Sequence, residues 1–517
     1  MKAFSPDALP KSDITEKDIS NMDRHERLLA SRLIPRPKSL RFTGGTPYSI
    51  RRHGKVLLNV CGEGALLKKK AEALFREYWN AAPDITLGKA PASRKSPEAY
   101  EIKVTEELLT VTVSGLTGLL NAFKTLRQLA EVKGGTEKVS GYLLVPCTVK
   151  DEPAMAFRGI HLCIFPETPL WDIEKAIRLA AYHKFNYAVI ESWGLFPFRS
   201  HPEFCWDEIK IDRKELKRLI RLGKELGITL IPQINLLGHA SSGREIVGKH
   251  AVLDMHPEFA PLFEPSGWSW CLSNPEARRI LTDLVLELFD FFEKPPFFHI
   301  GCDEAYDACS CLDCMKFETK DLIRDHILYF RDLLQKRGAR IIMWHDMLLE
   351  RKDPRWTGYY AHGRDDQKLG DLWKELPKDI VIADWQYRGK AHPEDPDPDW
   401  PTTKFFHKAK FDVLVCPWLN QVGLTGLGKL AKEKKLFGML ETTWHVWHDS
   451  RYQIVLGDAA TAAWNPDAIS EANSDNMRDT RLAMALHLRQ AAAPMKLTEY
   501  KKFGFAQKQV NPGESPA

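Results

Sequence analysis

The sequence predicts an α/β protein, a (β/α)8 TIM barrel preceded by a small α+β domain. Eight short apolar runs alternate with segments of helical spacing in the second part of the chain, which is the pattern of a barrel. The first 150 residues show a different order of strands and helices. A length of 517 residues exceeds one ordinary domain but suits a barrel with a domain attached, and 44% hydrophobic residues can fill both cores.

The small domain is predicted for residues 33–152, after a charged leader at residues 1–32. Residues 101–105 and 109–114 alternate apolar and polar side chains around Glu106 and Glu107, which indicates a hairpin. Residues 65–79 and 119–131 have helical spacing. Asp151, Glu152 and Pro153 then form a turn, which predicts the domain boundary.

The barrel is predicted for residues 153–450. Its eight strands are expected at residues 159–164, 187–191, 228–234, 297–301, 340–344, 380–385, 411–416 and 437–442. Helices are expected between several of them, at residues 172–183, 213–226, 277–292 and 320–337. Eight βα units favour a closed barrel over an open sheet. Residues 451–517 are expected to form a C-terminal helical extension and tail.

Composition limits the partners and the compartment. The 73 basic and 69 acidic residues are intermixed, so no basic surface for nucleic acid is expected. No run of about eighteen apolar residues occurs, and the N-terminus lacks the apolar core of a signal peptide, so we expect a cytoplasmic protein without a membrane partner. The ten cysteines are scattered and are expected to be reduced. No cofactor is expected, and the oligomeric state is left open.

The ends of the predicted strands carry an unusual set of side chains. A barrel places its chemistry at the carboxyl ends of its strands. Tryptophans and carboxylates recur there, and tryptophan rings can stack on the C–H faces of sugars while carboxylates bind hydroxyls. One tryptophan more often packs in the core or rim, but five at matching positions favour a carbohydrate site for an oligosaccharide or glycoconjugate. The set comprises Glu191, Trp193, His239, Asp303, Glu304, Trp344, Trp385, Trp418 and Trp444.

One motif resembles the signature of a known family. Residues 299–304, His-Ile-Gly-Cys-Asp-Glu, are similar to the His-x-Gly-Gly-Asp-Glu signature of the family 20 glycoside hydrolases, the β-N-acetylhexosaminidases. Further matching segments lie at residues 34–37, 125–129, 151–153, 158–159 and 238–239. The resemblance covers about residues 33 to 450 in order.

The resemblance implies a retaining exo-β-N-acetylhexosaminidase that removes terminal β-linked GlcNAc or GalNAc. In this family the substrate's own 2-acetamido oxygen is the nucleophile, so catalysis is substrate-assisted. Glu304 would be the general acid/base, and Asp303 would hold and polarise the acetamide N–H. The resemblance assigns the remaining pocket to Arg158, which would bind the 3- and 4-hydroxyls, and to His239, Trp344, Trp385 and Trp444, with Trp193 and Trp418 nearby.

The sequence departs from the family pattern at several positions. Cys163 stands where the family has an Asp, Cys302 replaces the second Gly of the signature, and Asn235 replaces another Asp. No Tyr-x-Asp pair follows the seventh strand, where Pro417-Trp418-Leu419-Asn420 stands instead. We therefore expect a divergent branch, in which Glu191 and Tyr387 are candidates to replace missing sugar-binding groups.

These departures leave two alternative functions open. The first is a related retaining glycosidase that acts on another amino sugar. The second is a non-catalytic carbohydrate-binding barrel, which the intact pair of Asp303 and Glu304 argues against.

A cysteine motif follows the carboxylate pair. Cys309-x-Cys311-x-x-Cys314 has a spacing compatible with a zinc knuckle, with Cys302 as a possible fourth ligand. The alternative is a group of loop thiols without a metal. Because no second Cys-x-x-Cys completes the set, the sequence favours the metal-free interpretation.

Overall fold

The computed structural model describes residues 24–50, 54–62, 64–90, 96–134, 139–166, 168–206, 209–241, 251–387, 398–444, 450–468 and 474–491. The first 23 residues of the predicted leader and residues 492–517 of the predicted tail lie outside these ranges. Among the described residues, no helix combines the length and the apolar character needed to cross a bilayer.

The first part of the chain forms an α+β unit. Its strands are β1 (Ser39–Phe42), β2 (Tyr48–Ser49), β3 (Lys55–Val60), β4 (Asp84–Lys89), β5 (Tyr100–Val104), β6 (Leu109–Val113), β7 (Glu131–Gly134), β8 (Val139–Leu144) and β9 (Cys147–Asp151). Its helices are α1 (Arg24–Ser31), α2 (Gly64–Trp79) and α3 (Leu116–Leu129).

Two sheets organise this unit. One has the strand order β1-β9-β5-β6-β3-β4 and the other has the order β2-β8-β7. Strands β5 and β6 pair antiparallel, with Tyr100 opposite Val113, so the predicted hairpin is confirmed. Phe75 and Trp79 of α2 contact Phe123 of α3 at ring distances of 5.0 and 6.0 Å, which joins the two helices over the larger sheet.

The second part of the chain forms the barrel. Its strands are β10 (Phe157–Ile164), β11 (Tyr187–Ser192), β12 (Thr229–Gln233), β13 (Phe297–His299), β14 (Arg340–Trp344), β15 (Val381–Asp384), β16 (Asp412–Val415) and β17 (Gly438–Thr442). Its helices are α4 (Leu170–Tyr182), α5 (Arg213–Leu226), α6 (Ala251–Met255), α7 (Pro275–Phe291), α8 (Thr319–Gln335), α9 (Pro401–Lys408), α10 (Gln421–Lys434), α11 (Ser450–Trp464) and α12 (Ser474–Ala491).

The eight barrel strands form a closed sheet, which confirms the predicted fold class. Closure is made by the parallel pairing of β10 with β17, in which Phe157 lies opposite Gly438. Phe157 stacks on Tyr187 at 4.4 Å and contacts Phe297 edge to face at 5.6 Å. These aromatic rings fill the amino end of the barrel, so chemistry is confined to the opposite, carboxyl end.

Helix α11 joins the barrel to the small domain. This helix begins at residue 450, where the barrel was predicted to end. It packs against the first and last barrel strands, β10 and β17, and so covers the place where the barrel closes. Its last residue, Trp464, lies in the hydrophobic core of the small domain. The Trp464 indole N–H donates a hydrogen bond of 2.8 Å to Asp151 at the end of β9.

Candidate active site

The carboxylate pair Asp303 and Glu304 lies on a tightly bent extension of β13. The residues Gly301, Cys302 and Glu304 have φ values of 62°, 69° and 46°. A Cβ atom on Gly301 would lie 1.9 Å from the Asn235 side-chain oxygen, so only glycine fits there. Left-handed backbone costs a non-glycine residue about 1–2 kcal/mol. The bend therefore requires support from its neighbours, and it turns both carboxyl groups toward the mouth of the barrel.

His239 lies between the two carboxylates. Its Nε2 atom is 3.4 Å from Asp303 Oδ2 and 3.3 Å from Glu304 Oε2. The loop that carries it approaches very closely, because a Cβ on Gly238 would lie 2.1 Å from the Asp303 carbonyl oxygen. The Gly238-His239 segment identified in the sequence thus brings an imidazole into contact with both acids.

His239 and Asp303 change each other's charge state. Burial disfavours a cationic His239, but the adjacent Asp303 and Glu304 outweigh it and raise the pKa of His239 to about 10. Burial raises the pKa of Asp303 to about 6, against the opposing effect of the His239 cation. At neutral pH we therefore expect a charged imidazolium beside an ionised Asp303.

The two carboxyl groups differ in exposure. The Asp303 side chain is 7% exposed, whereas that of Glu304 is 28% exposed. Asp303 Oδ1 is buried, and no donor of the described residues reaches it. Because a buried carboxylate oxygen without a donor is unfavourable, this atom is positioned to accept a hydrogen bond from a ligand.

Asp346 supports the pair from the end of β14. Its Oδ2 atom accepts hydrogen bonds from the Glu304 backbone N–H at 2.9 Å and from His362 at 3.0 Å. Its Oδ1 atom accepts from the Trp385 indole at 3.2 Å. Burial opposes its ionisation, but the hydrogen bond and charge of His362 keep the pKa of Asp346 below its usual value. Asp346 lies two residues after a predicted strand, but only the structure shows its role.

Aromatic side chains form a wall beside the carboxylate pair. Trp385 lies 4.6 Å from Tyr360 and 5.5 Å from Tyr387, measured between ring centroids. Tyr387 contacts Trp418 at 5.2 Å, and its hydroxyl accepts a hydrogen bond of 2.7 Å from the Trp444 indole. The structure thus brings together the three predicted tryptophans Trp385, Trp418 and Trp444, with Tyr387 as their common neighbour.

Trp344 occupies a deeper position than expected. It is completely buried, with its ring 4.4 Å from His299 and 5.5 Å from Trp444. It lies inside the barrel with the residues that fill the lumen. Trp344 therefore forms the floor beneath Trp444 and not an exposed stacking surface.

Glu191 and Trp193 lie on the other side of His239. A cavity at the ends of β11 and β12 is lined by both residues, together with Asn235 and His239. The Glu191 carboxylate accepts from Asn235 at 3.0 Å and lies 3.1 Å from His161 Nε2. The Trp193 ring meets His239 edge to face at 5.5 Å. Their binding of a sugar remains a prediction.

Trp268 was missed by the sequence reasoning. Its indole donates to the Glu304 carbonyl oxygen at 2.5 Å, and its ring lies 4.5 Å from His239. It stands in an irregular loop after β12, without a strand end or a periodic pattern to mark it.

The assignment of Arg158 to sugar binding is wrong. Arg158 is the second residue of strand β10, at the end of the barrel opposite the mouth. Alternation places it outside the lumen with Ile160. The guanidinium forms a buried ion pair with Glu98 of the small domain and donates to the carbonyls of Met155 and Lys184 at 2.8 and 3.0 Å. It joins the two domains, so the match of the Arg-Gly segment does not carry a sugar-binding role.

Cys302, the possible fourth ligand of the knuckle, is not in the group of side chains that gathers around Cys311 and Cys314. Cys302 is fully buried, and its thiol donates to the Ile300 carbonyl oxygen. The thiol that meets Cys311 and Cys314 belongs to Cys271, which is remote in sequence. Sequence spacing gave no signal for this contact, because it depends on how two long loops fold together.

Two family models match the chain. "Glycosyl hydrolase family 20, catalytic domain" matches residues 210–395, and "Glycosyl hydrolase family 20, domain 2" matches residues 30–151. Together they cover more than half of the chain. The first match begins beyond β11 and ends before β16, so two of the departures noted above, Cys163 and residues 417–420, lie outside it, whereas Asn235 and Cys302 lie inside it.

Individual relatives agree with this family. A β-hexosaminidase of Vibrio furnissii is 24% identical over 425 residues, 71% of this chain and 66% of the relative. Beta-hexosaminidase 1 of Coccidioides posadasii is 21% identical over 324 residues, 56% of this chain and 49% of the relative. The chain thus spans about half the length of the first curated relatives that it matches.

The fold also has solved counterparts. The chitobiase of Flavobacterium johnsoniae superposes with a TM-score of 0.66 at 16% sequence identity, over 91% of this chain and 74% of that chain. At this identity the match supports the fold alone. The fold, the carboxylate pair at the end of β13 and the two family matches lead to one conclusion: this chain is a divergent member of glycosyl hydrolase family 20.

Proposed function

We propose that this chain is a glycoside hydrolase, a retaining exo-β-N-acetylhexosaminidase that removes terminal β-linked N-acetylhexosamine from an oligosaccharide or glycoconjugate. The names of its relatives, β-hexosaminidase and β-N-acetylhexosaminidase, support this class of reaction. The observation that carries the proposal is the buried Asp303 Oδ1 atom, which no donor of the described residues reaches.

Asp303 would act on the 2-acetamido group of the substrate. Its carboxylate accepts the acetamide N–H, which fixes the group and increases the electron density on its carbonyl oxygen. That oxygen attacks the anomeric carbon as the bond to the leaving group breaks, giving a cyclic oxazolinium ion. Water then opens the ring from the face that the leaving group occupied, so the configuration is retained.

Glu304 would transfer the proton. The Glu304 side chain is more exposed than that of Asp303, so it lies nearer the opening of the site. A departing aglycone must leave through this opening. Glu304 donates a proton to the glycosidic oxygen in the first step and takes one from the attacking water in the second. Asp346 accepts from the Glu304 backbone N–H, and Trp268 donates to the Glu304 carbonyl oxygen. These two hydrogen bonds fix the backbone from which the carboxyl group extends.

The aromatic wall would surround the acetamide and the sugar ring. Trp385 and Trp444 offer apolar faces, and Tyr387 lies between them with a polar hydroxyl. Burial raises the pKa of Tyr387 well above its ordinary value, so this hydroxyl stays protonated. We assign it to the acetamide oxygen, in place of the tyrosine that the chain lacks after the seventh strand.

A panel of chromogenic β-glycosides tests this function. We expect turnover of the GlcNAc and GalNAc glycosides, and at most slow turnover of the glucosamine and glucose glycosides, because only the first two carry the nucleophile. The Asp303→Asn and Glu304→Gln double variant serves as the background control. Turnover of only the non-acetylated sugars would overturn the mechanism and favour the alternative glycosidase. No turnover by a folded enzyme that still binds N-acetylglucosamine would favour a carbohydrate-binding barrel.

A further inference from the structure

Three cysteine thiols gather beside the active site without forming a disulfide. Cys271 Sγ lies 3.7 Å from the Sγ atoms of both Cys311 and Cys314. Cys271 comes from the loop after β12, whereas the other two follow the carboxylate pair. All three are at least half-buried, so they are withdrawn from solvent.

The distance between the sulfur atoms distinguishes a disulfide from a metal site. A disulfide would bring two of them to about 2.05 Å. Four thiolates around zinc lie about 2.3 Å from the metal, and tetrahedral geometry then sets the sulfur atoms about 3.8 Å apart. The observed 3.7 Å agrees with ligands of one tetrahedral ion.

Two further contacts are typical of a preformed metal site. The backbone N–H of Cys314 donates to Cys311 Sγ at 3.3 Å, which turns the Cys-x-x-Cys segment so that both thiols face one point. The carboxylate of Glu264 lies in the same group, since one ligand atom from each of the four residues falls within 4.8 Å of the others. Glu264 is 1% exposed.

The two oxygen atoms of the Glu264 carboxylate have different surroundings. Its Oε2 atom accepts the backbone N–H of Cys311 at 2.6 Å and the Ser310 hydroxyl at 3.3 Å. Its Oε1 atom is buried, and no hydrogen-bond partner for it occurs among the described residues. A buried anionic oxygen in this situation is stabilised by a cation.

We propose that Cys271, Cys311, Cys314 and Glu264 bind a structural zinc ion. A set of three sulfur ligands selects zinc over magnesium or calcium, which prefer oxygen. Four protein ligands fill a tetrahedral shell and leave no position for substrate, so this zinc takes no part in the chemistry. The thiols lose their protons to solvent when the ion binds.

The zinc ion would fix the loops that hold the active site. Glu264 and Cys271 enclose the loop segment that carries Trp268, whose indole donates to the Glu304 carbonyl oxygen. Cys311 and Cys314 lie on the segment that follows Glu304. One ion would therefore hold together the two segments that this hydrogen bond connects. This explains how an irregular loop can position the Trp268 indole.

Metal analysis of the purified full-length protein tests the site. We expect about one zinc ion per chain, lost when Cys271, Cys311 or Cys314 is replaced by Ser, and weakened in Glu264→Gln. The Cys309 side chain approaches Cys314 and is the competing candidate for the fourth ligand. Cys61→Ser is the control, because Cys61 lies in the small domain, outside the group of four. This variant should keep its zinc.

A second measurement avoids dependence on the folding of the variants. Wild-type protein stripped of zinc by a chelator should melt at a lower temperature and regain its stability with added zinc. Cobalt added to the stripped protein should give the thiolate-to-metal absorption of a tetrahedral site. Wild-type protein that contains no zinc and binds neither metal would overturn the proposal. Loss of zinc from Cys309→Ser, with full retention in Glu264→Gln, would overturn the assignment of the fourth ligand.

Discussion

The backbone N–H of Glu304 donates a 2.9 Å hydrogen bond to the buried carboxylate of Asp346. The same carboxylate accepts the indole N–H of Trp385. Asp346 therefore connects Glu304, the proposed acid/base residue, to the aromatic wall, although the proposed reaction gives Asp346 no direct part. A group in this position acts by fixing the geometry of others.

Asp346→Asn should separate positioning from binding. The amide keeps the size of the side chain but has only one acceptor oxygen. Its NH2 group must therefore face the donors on one side, either Glu304 and His362 or Trp385, and those groups lose their fixed places. We expect kcat to fall by about 10- to 100-fold with a smaller change in KM. Asp365→Asn, an exposed change on the same side of the barrel, is the control. An unchanged kcat for a folded Asp346→Asn enzyme would contradict this role.

Glu304→Gln should show a strong dependence on the leaving group. The amide cannot protonate the glycosidic oxygen, so substrates with poor leaving groups should lose about 10²- to 10⁴-fold in rate. Aryl glycosides with acidic phenols need little protonation and should lose much less. The measurement is kcat/KM across a series of aryl leaving groups, compared with wild type. Equal losses across the series would show that another residue is the acid.

The pH profile should report the contact between His239 and Asp303. Burial raises the pKa of Asp303 to about 6, and the His239 cation opposes this rise. Below this pH the carboxylate is protonated and cannot accept the acetamide N–H, so kcat/KM should fall on the acid side. In His239→Gln the opposing cation is gone, so the acid limb should move to higher pH.

His256→Gln provides the control for this shift. His256 follows α6, and its described side-chain contacts are to the exposed Glu258 and the ring of Phe259, which do not belong to the candidate site. Its profile should match that of wild type. An acid limb that moves to lower pH in His239→Gln, or does not move, would show that the imidazole does not set the charge of Asp303.

Arg158→Met should affect stability and not sugar binding. Removal of the guanidinium leaves Glu98 without its partner and two carbonyls without donors, and loss of one partner from a buried ion pair costs about 3 kcal/mol or more. Chemical unfolding should show this loss, while KM of the folded enzyme stays within about twofold of wild type. A large rise in KM without a loss of stability would restore Arg158 to the sugar site.

The sequence predicted the barrel because its strands and helices have clear periodicity, and it predicted the carboxylate pair because one motif ends a strand. It could not predict how Arg158 is used, since similarity of a short segment does not show which face of a strand a side chain occupies. Trp268 and Cys271 lie in an irregular loop whose contacts depend on long-range packing. These residues were therefore visible only in the structure.

Substitution on the substrate tests the central claim most directly, namely that the acetamide oxygen is the nucleophile and Asp303 its partner. The measurement is kcat/KM for aryl β-glucosaminides whose N-acyl group is acetyl, fluoroacetyl, difluoroacetyl or trifluoroacetyl. Each fluorine withdraws electrons from the carbonyl oxygen, so the rate should fall steadily, by about tenfold or more across the series. Rates that do not depend on fluorination, together with a glycosyl adduct in the mass of the intact protein, would contradict the account and identify an enzyme nucleophile instead.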